Sequence, residues 1–269
     1  MTADRPASAD EAQHPDPWAE LRRTTQARIG LGRAGNSLPS RRVLEFQAAH
    51  ALARDAVHEP LDVDEFARGI GELDLDLDAP IVVTSRAATR SEYLRRPDLG
   101  RVPDDLSQVP RADTEIGIVL ADGLSPRALA DHGHGLVAAL LRQFDGRYSI
   151  APPVIATEAR VALGDHIGEA LGVTTLIVII GERPGLSVAD SLGIYLTHLP
   201  RPGRADSDRN CISNIHPPDG LQYDVAARTT AALIDGARRL GRSGVALKDM
   251  SRTDALEQID DAEALTHES

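Results

Sequence analysis

The run Leu176-Ile177-Val178-Ile179-Ile180 places apolar side chains at consecutive positions, so residues 174–180 form a strand apolar on both faces. Such a strand has no side to turn to water and needs helices packed above and below it, as in a parallel sheet. It stops abruptly at Gly181-Glu182-Arg183-Pro184-Gly185-Leu186. In open α/β sheets, ligands sit outside the carboxyl ends of the strands. The Gly-Glu-Arg-Pro-Gly turn is therefore where a ligand should be met.

The neighbouring sequence supplies the rest of such a fold. Ile116–Leu120 reads as a strand, followed by Asp122-Gly123, and Ser125 with Pro126 offers an N-cap and a first-turn proline. The helix begun there carries Leu129, Leu136, Leu140 and Leu141 and stops near Asp145-Gly146. Val154–Thr157 is the next strand. Residues 162–171 place Leu163, Ile167, Ala170 and Leu171 on one helical face and end at Gly172. Leu192–Leu199 and Cys211–Ile215 are further strands, and Asp224 should cap a final helix through Leu240.

Upstream, Pro39 opens a helical pattern running to Val57, and Val63–Ile70 forms a second helix. Pro80–Thr84 is a short strand, and Arg95–Ala112 reads as a loop. The expected fold class is α/β, a Rossmann-like, largely parallel sheet flanked by helices and preceded by a mainly helical N-terminal segment. The expected divisions are a disordered start at 1–17, a helical region at 18–110, the α/β domain at 111–250 and an acidic tail at 251–269.

With 41 acidic against 29 basic side chains, the 269-residue chain carries a net charge of −12, which repels phosphate backbones and argues against nucleic-acid binding. Its single cysteine, Cys211, forbids an internal disulfide and suits a reducing compartment. No stretch approaches the roughly 20 apolar residues of a membrane span, and no signal segment opens the chain. A cytoplasmic protein is expected.

Several motifs weaken in context. Gly30-Leu31-Gly32-Arg33-Ala34-Gly35 satisfies G-x-G-x-x-G by letter, but the preceding Arg22–Arg28 cannot be the buried strand a dinucleotide fingerprint needs. A glycine-rich loop is the better reading. His132 and His134 stand two apart on a helix and do not share a face, so they cannot chelate one metal together. A solvated helix surface is expected there, and no metal site is assigned. Asp165-His166, His198 and His216 come with no identifiable nucleophile and orienting carboxylate, so no hydrolase is supported.

Three positions are sharper. Glu182 follows five apolar residues at the presumed sheet mouth, where its carboxylate could accept bonds from a ligand's amide or hydroxyl donors. It could equally pair with Arg183 inside the turn. Val161 sits where a helix begins and unsatisfied N–H groups are available to a ligand oxygen, or it fills the core. Cys211 is a small side chain of the kind usually found buried.

Taken together, Arg160–Asp165, Gly181–Leu186, Asp190-Ser191-Leu192 and Asn210–Ile215, in this order and spacing, resemble the small subunit of ethanolamine ammonia-lyase. The resemblance covers roughly residues 25 to 250 and includes Arg28, Arg33 and Leu38-Pro39. It implies an adenosylcobalamin-dependent, two-subunit lyase that converts ethanolamine to acetaldehyde and ammonia by a radical route. A large catalytic subunit would hold the substrate, with the cofactor between the subunits. Positions matching Val161, Glu182 and Cys211 would contact the cofactor, and no catalytic acid, base or nucleophile is expected on this chain. Neither Asp131-His132-Gly133 nor Asp165-His166-Ile167-Gly168 fits the Asp-x-His-x-x-Gly motif that replaces the cofactor's own base in some cobalamin enzymes. Relatives that enter a bacterial microcompartment carry an amphipathic targeting segment, and residues 1–17 lack that periodicity. A stand-alone nucleotide-binding enzyme and a purely structural subunit are the competing readings.

Overall fold

The computed structural model describes residues 16–73 and 77–248. The expected disordered start lies outside them except for Asp16 and Pro17, and the expected tail at 251–269 lies wholly outside.

The chain divides within its first long helix, between His50 and Ala51. The first unit holds α1 (Leu21–Thr24), the 30–35 loop and the start of α2 (Ser40–His58). Gly30, Gly32 and Gly35 all have positive φ, and no strand precedes them among the described residues, so the stretch is a loop. No residue from 16 to 50 is buried.

The second unit contains α3 (Val63–Gly71), β1 (Ile81–Thr84), α4 (Arg90–Arg95), β2 (Ile116–Ala121) and α5 (Pro126–Phe144). It continues with β3 (Val154–Thr157), α6 (Leu163–Leu171), β4 (Thr175–Gly181), β5 (Leu192–His198), β6 (Asn210–Ile215) and α7 (Tyr223–Leu240). Local signals placed most of these. The Ser125 hydroxyl accepts from the Ala128 N–H and caps α5. Asp224 lies in the first turn of α7, whose N-cap is Gln222. The stretch expected as loop, Arg95–Ala112, starts at the last residue of α4 and includes a short 3₁₀ turn at Leu99–Arg101.

The six strands form one sheet in the order β1-β3-β2-β4-β5-β6. The first three pairings are parallel and the last two antiparallel, so the sheet is mixed rather than largely parallel. The reason lies in the connections. A parallel return needs a long crossover, usually a helix, whereas Glu182–Ser191 carries none and brings the chain straight back as β5. β1 falls within the stretch expected to be mainly helical, yet it pairs with β3 in this sheet.

Every residue of β2 and β4 is buried. Ile118, Leu120, Ile177 and Ile179 face a core shared with α3, α5 and α7. Val119, Ala121, Leu176, Val178 and Ile180 face the core under α6. From β2 the chain passes through α5 to β3 on one side, then through α6 to β4 on the other. That reversal opens a crevice between the carboxyl ends of β2 and β4.

Candidate functional site

At this crevice lies a cavity of about 450 Å³, within the range of small-molecule sites. Its floor is the end of β4, where Ile180 and Gly181 meet the turn after β2. The Leu124 N–H donates to the Gly181 carbonyl at 2.9 Å. A Cβ on Gly181 would stand 2.0 Å from the Ser125 carbonyl oxygen and 2.7 Å from that of Asp122, so this close approach requires glycine.

One wall is built from the end of β4, the link after it and β5, with β6 bracing it from behind Glu182. Glu182 is half-buried, and its Oε2 accepts from the Ser191 hydroxyl at 2.7 Å and from the Asn214 N–H at 3.2 Å. These bonds, rather than a pair with Arg183, hold the carboxylate. Its other oxygen, Oε1, lies over Gly193, where an added Cβ would approach to 3.0 Å. Tyr195 also lines the cavity and stands directly across from Cys211 in the antiparallel register. Leu192, Ile194, Leu196, Ile212 and Ile215 are buried beneath α7. On the opposite face, Tyr195 is only half-buried and Cys211 is exposed.

Desolvation pushes Tyr195 up to about 12, and the nearby Cys211 and Glu182 side chains add to the effect. Desolvation likewise raises the Cys211 thiol, against the opposing influence of Tyr195. Both groups are neutral at pH 7.

The facing wall comes from Tyr93, Arg160 and Val161. Tyr93 is fully buried, and its hydroxyl donates to the Ala159 carbonyl at 3.0 Å. Two guanidinium groups stack on its ring, Arg160 at 4.3 Å and Arg90 at 4.8 Å from the centroid. Val161 precedes α6 and is half-buried. The first amides of α6 are occupied within their own turn: Leu163, Gly164 and Asp165 donate to the carbonyls of Arg160, Val161 and Ala162. The Val161 N–H finds no such acceptor among the described residues.

Three buried ionisable side chains, Asp122 and the pair Arg209–Asp165, hold these walls. Asp122, at the end of β2, accepts from the Glu158 and Ala159 N–H groups at 2.7 and 3.0 Å, fixing the backbone just before Arg160. Burial pushes its pKa up to about 7, against the pull of these bonds and of Arg90. Arg209 donates to both Asp165 carboxylate oxygens from its two terminal guanidinium nitrogens, at 2.9 and 2.8 Å, with both side chains 2% exposed. This pair joins the segment entering β6 to the first turn of α6.

Of the three positions singled out in the sequence, Val161 and Glu182 line one cavity. Cys211 is not part of its lining; it stands opposite Tyr195, which is. Tyr93, Leu124 and Tyr195 were not identified from the sequence. Their one available signal was the scarcity of aromatics, since only four tyrosines occur in the chain. The roles of Ser191 and Asn214 were hidden because they depend on the pairing of β4, β5 and β6.

The histidines of α5 are not on a solvated surface. His132 Nδ1 lies 2.7 Å from the Tyr223 hydroxyl, and His134 Nε2 lies 3.1 Å from the Phe66 carbonyl. Both face partners on α7 and α3, because α5 is flanked by packed helices on either side. His198 is buried against Thr175, and His216 against Asn214. Among the described residues, no three His, Cys, Asp or Glu side chains form a group able to hold a metal ion. No described helix is long and apolar enough to cross a membrane.

Residues 15–248 match the family model described as ethanolamine ammonia-lyase light chain (EutC). The chain is 67% identical over 247 residues to an ethanolamine ammonia-lyase small subunit from Rhodococcus erythropolis, covering 92% of this chain and 95% of that protein. It is 45% identical to the small subunit from Bradyrhizobium diazoefficiens, covering 93% and 97% respectively. With that of Ralstonia nicotianae it shares 43% identity, covering 94% of each.

Proposed function

Because the chain belongs to the ethanolamine ammonia-lyase small-subunit family, we propose that its cavity holds one side of adenosylcobalamin while the large subunit covers the other. The complex would convert ethanolamine to acetaldehyde and ammonia. The observation carrying this reading is the meeting of Val161 and Glu182 in one cavity at the crevice between β2 and β4. That crevice belongs to the parallel part of the sheet, β1-β3-β2-β4, which we liken to a Rossmann-like unit.

The residues present suit the cofactor. Cobalamin displays a rim of amide groups, which donate and accept hydrogen bonds. Val161 offers an N–H donor and Glu182 an acceptor oxygen already oriented by Ser191 and Asn214. Arg160 lines the same space, and its Nε is buried without a hydrogen-bond partner among the described residues. A cavity of about 450 Å³ takes part of so large a molecule and leaves the remainder to another surface.

When bound, adenosylcobalamin supplies radical chemistry by homolysis of its cobalt–carbon bond. This chain's residues would bind and orient. Glu182 would accept from an amide of the rim, Val161 N–H would donate to an amide carbonyl, and exposed Cys211 would present a small neutral side chain that permits close approach. None of the three is assigned a proton transfer.

The test uses the two-subunit complex. Glu182→Ala should leave assembly intact and lower cobalamin retention about 10- to 100-fold, the range for a lost charge-assisted hydrogen bond. Retention is read from the cobalamin absorbance that elutes with the protein. Unchanged retention would overturn the assignment, as would full deamination by the large subunit alone. A response to NAD or ATP without one to cobalamin would favour the nucleotide-binding reading.

A further inference from the structure

We propose that Arg160 and Arg183 form an anion-binding subsite in this cavity, and that its ligand is a phosphodiester carried by a larger molecule, namely the nucleotide tail of cobalamin. The inference rests on the reading of the cavity as a cobalamin site and adds a specific group to it.

The argument begins with two arginines on one ring. Arg90 and Arg160 both stack on Tyr93, but their surroundings differ. Arg90 lies 3.4 Å from Asp122 and 3.2 Å from Glu158, and its Nε donates to the Val57 carbonyl at 2.7 Å. Its charge is met inside the protein. Arg160 lines the cavity and pairs with no carboxylate among the described residues, and its Nε is buried without an acceptor. This happens in a chain with 41 acidic side chains against 29 basic ones. A guanidinium stacked on a ring keeps its N–H edge free for in-plane bonds, the geometry suited to phosphate and carboxylate.

Arg183 adds a second positive charge to the lining, again with no ion pair among the described residues. Val161, next to Arg160, contributes its unused N–H. Two guanidinium groups and a backbone donor form a receptor for an oxyanion. The remaining walls determine what carries it. Leu124, Ile180 and Val161 are apolar, and Glu182 is an acceptor that repels a free anion. Inorganic phosphate would leave those apolar walls uncovered. A phosphodiester within a molecule that also has apolar and amide surface satisfies both parts of the lining.

The experiment compares cobinamide with cobinamide phosphate, which differ by the phosphoryl group, in the complex with the large subunit. Binding is followed by the corrinoid absorbance. The unmodified complex should prefer cobinamide phosphate at least tenfold. Arg160→Gln should erase most of that preference while leaving cobinamide affinity unchanged, and Arg183→Gln should reduce it about threefold. Arg183 is exposed, so its replacement keeps the test valid if loss of the Tyr93 stack unfolds the Arg160 variant. A preference that survives both changes would overturn the subsite, and so would an equal loss for the two corrinoids. Stabilisation of the chain by inorganic phosphate or ATP alone, abolished by the same changes, would reassign the subsite to a free phosphate or nucleotide. Failure of every corrinoid to bind would instead refute the underlying cofactor reading.

Discussion

The Ser191 hydroxyl donates to Glu182 Oε2 at 2.7 Å and thereby decides which carboxylate oxygen remains for an incoming group. The Asn214 N–H adds a second bond to the same atom. Oε1 lies over Gly193, where there is no side chain to crowd it. The carboxylate is oriented before any ligand arrives, which lowers the cost of ordering it on binding.

Removing the hydroxyl tests this arrangement. Ser191→Ala should cost about 1 kcal/mol of stability and weaken cobalamin retention by roughly 3- to 10-fold, corresponding to about 0.7–1.4 kcal/mol. Gly193→Ala should weaken retention through the other oxygen, because its Cβ presses on Oε1. Urea melts and absorbance-monitored binding report the two effects separately. Equal retention in all three proteins would show that the carboxylate's orientation is irrelevant.

The Arg209–Asp165 pair predicts a different pattern. Arg209→Met leaves a carboxylate buried without its partner and should destabilise the chain by about 3–5 kcal/mol. Replacing both residues, as Arg209→Met with Asp165→Leu, should recover more than half of that loss, since an apolar pair of similar volume restores packing without stranding a charge. Chemical denaturation of the single and double variants decides it. A double variant as unstable as the single one would mean that the pair fixes geometry which packing cannot replace.

Asp122 sets a pH dependence of defined sign. Its pKa is about 7 in the fold and about 3.9 when unfolded. Below pH 4 both states hold the proton. As pH rises from about 4 to about 7 the unfolded state releases it first, so the stability contributed by Asp122 falls. Burial holds His132 and His198 below the usual histidine value, so their contribution is lost as pH falls through about 6.5, the opposite direction. Comparison with Asp122→Asn isolates the carboxylate: the variant should gain on the parent protein steadily from pH 4 to 7. A constant difference would show that Asp122 is already ionised in the fold at pH 4.

Cys211 is exposed, but its thiol pKa is raised, chiefly by desolvation. Alkylation by iodoacetamide at pH 7 should therefore be slower than that of an unstructured cysteine peptide, with the rate climbing above pH 9. Bound cobalamin should slow it further. Rapid modification at pH 7 would indicate a thiolate and contradict the neutral role given to this residue.

Local features were legible in the linear chain because their causes are local. An unbroken apolar run requires cover on both faces, which marked β4. Ser125 with Pro126 marked the start of α5, and Gly172, with φ of 71°, marked the end of α6. The turn after β4 drew attention to Glu182 for the same reason. The direction of β5 and β6 was not legible, because apolar alternation is the same whichever way a strand runs, and only the short, helix-free link after β4 decides it. The partners of Glu182 were likewise out of reach. Ser191 and Asn214 meet one carboxylate oxygen only once β4, β5 and β6 are aligned, just as Arg160 and Val161 meet the cavity only once α6 crosses the sheet. Periodicity and capping depend on neighbours a few residues away. A site depends on which distant segments the packed core brings together.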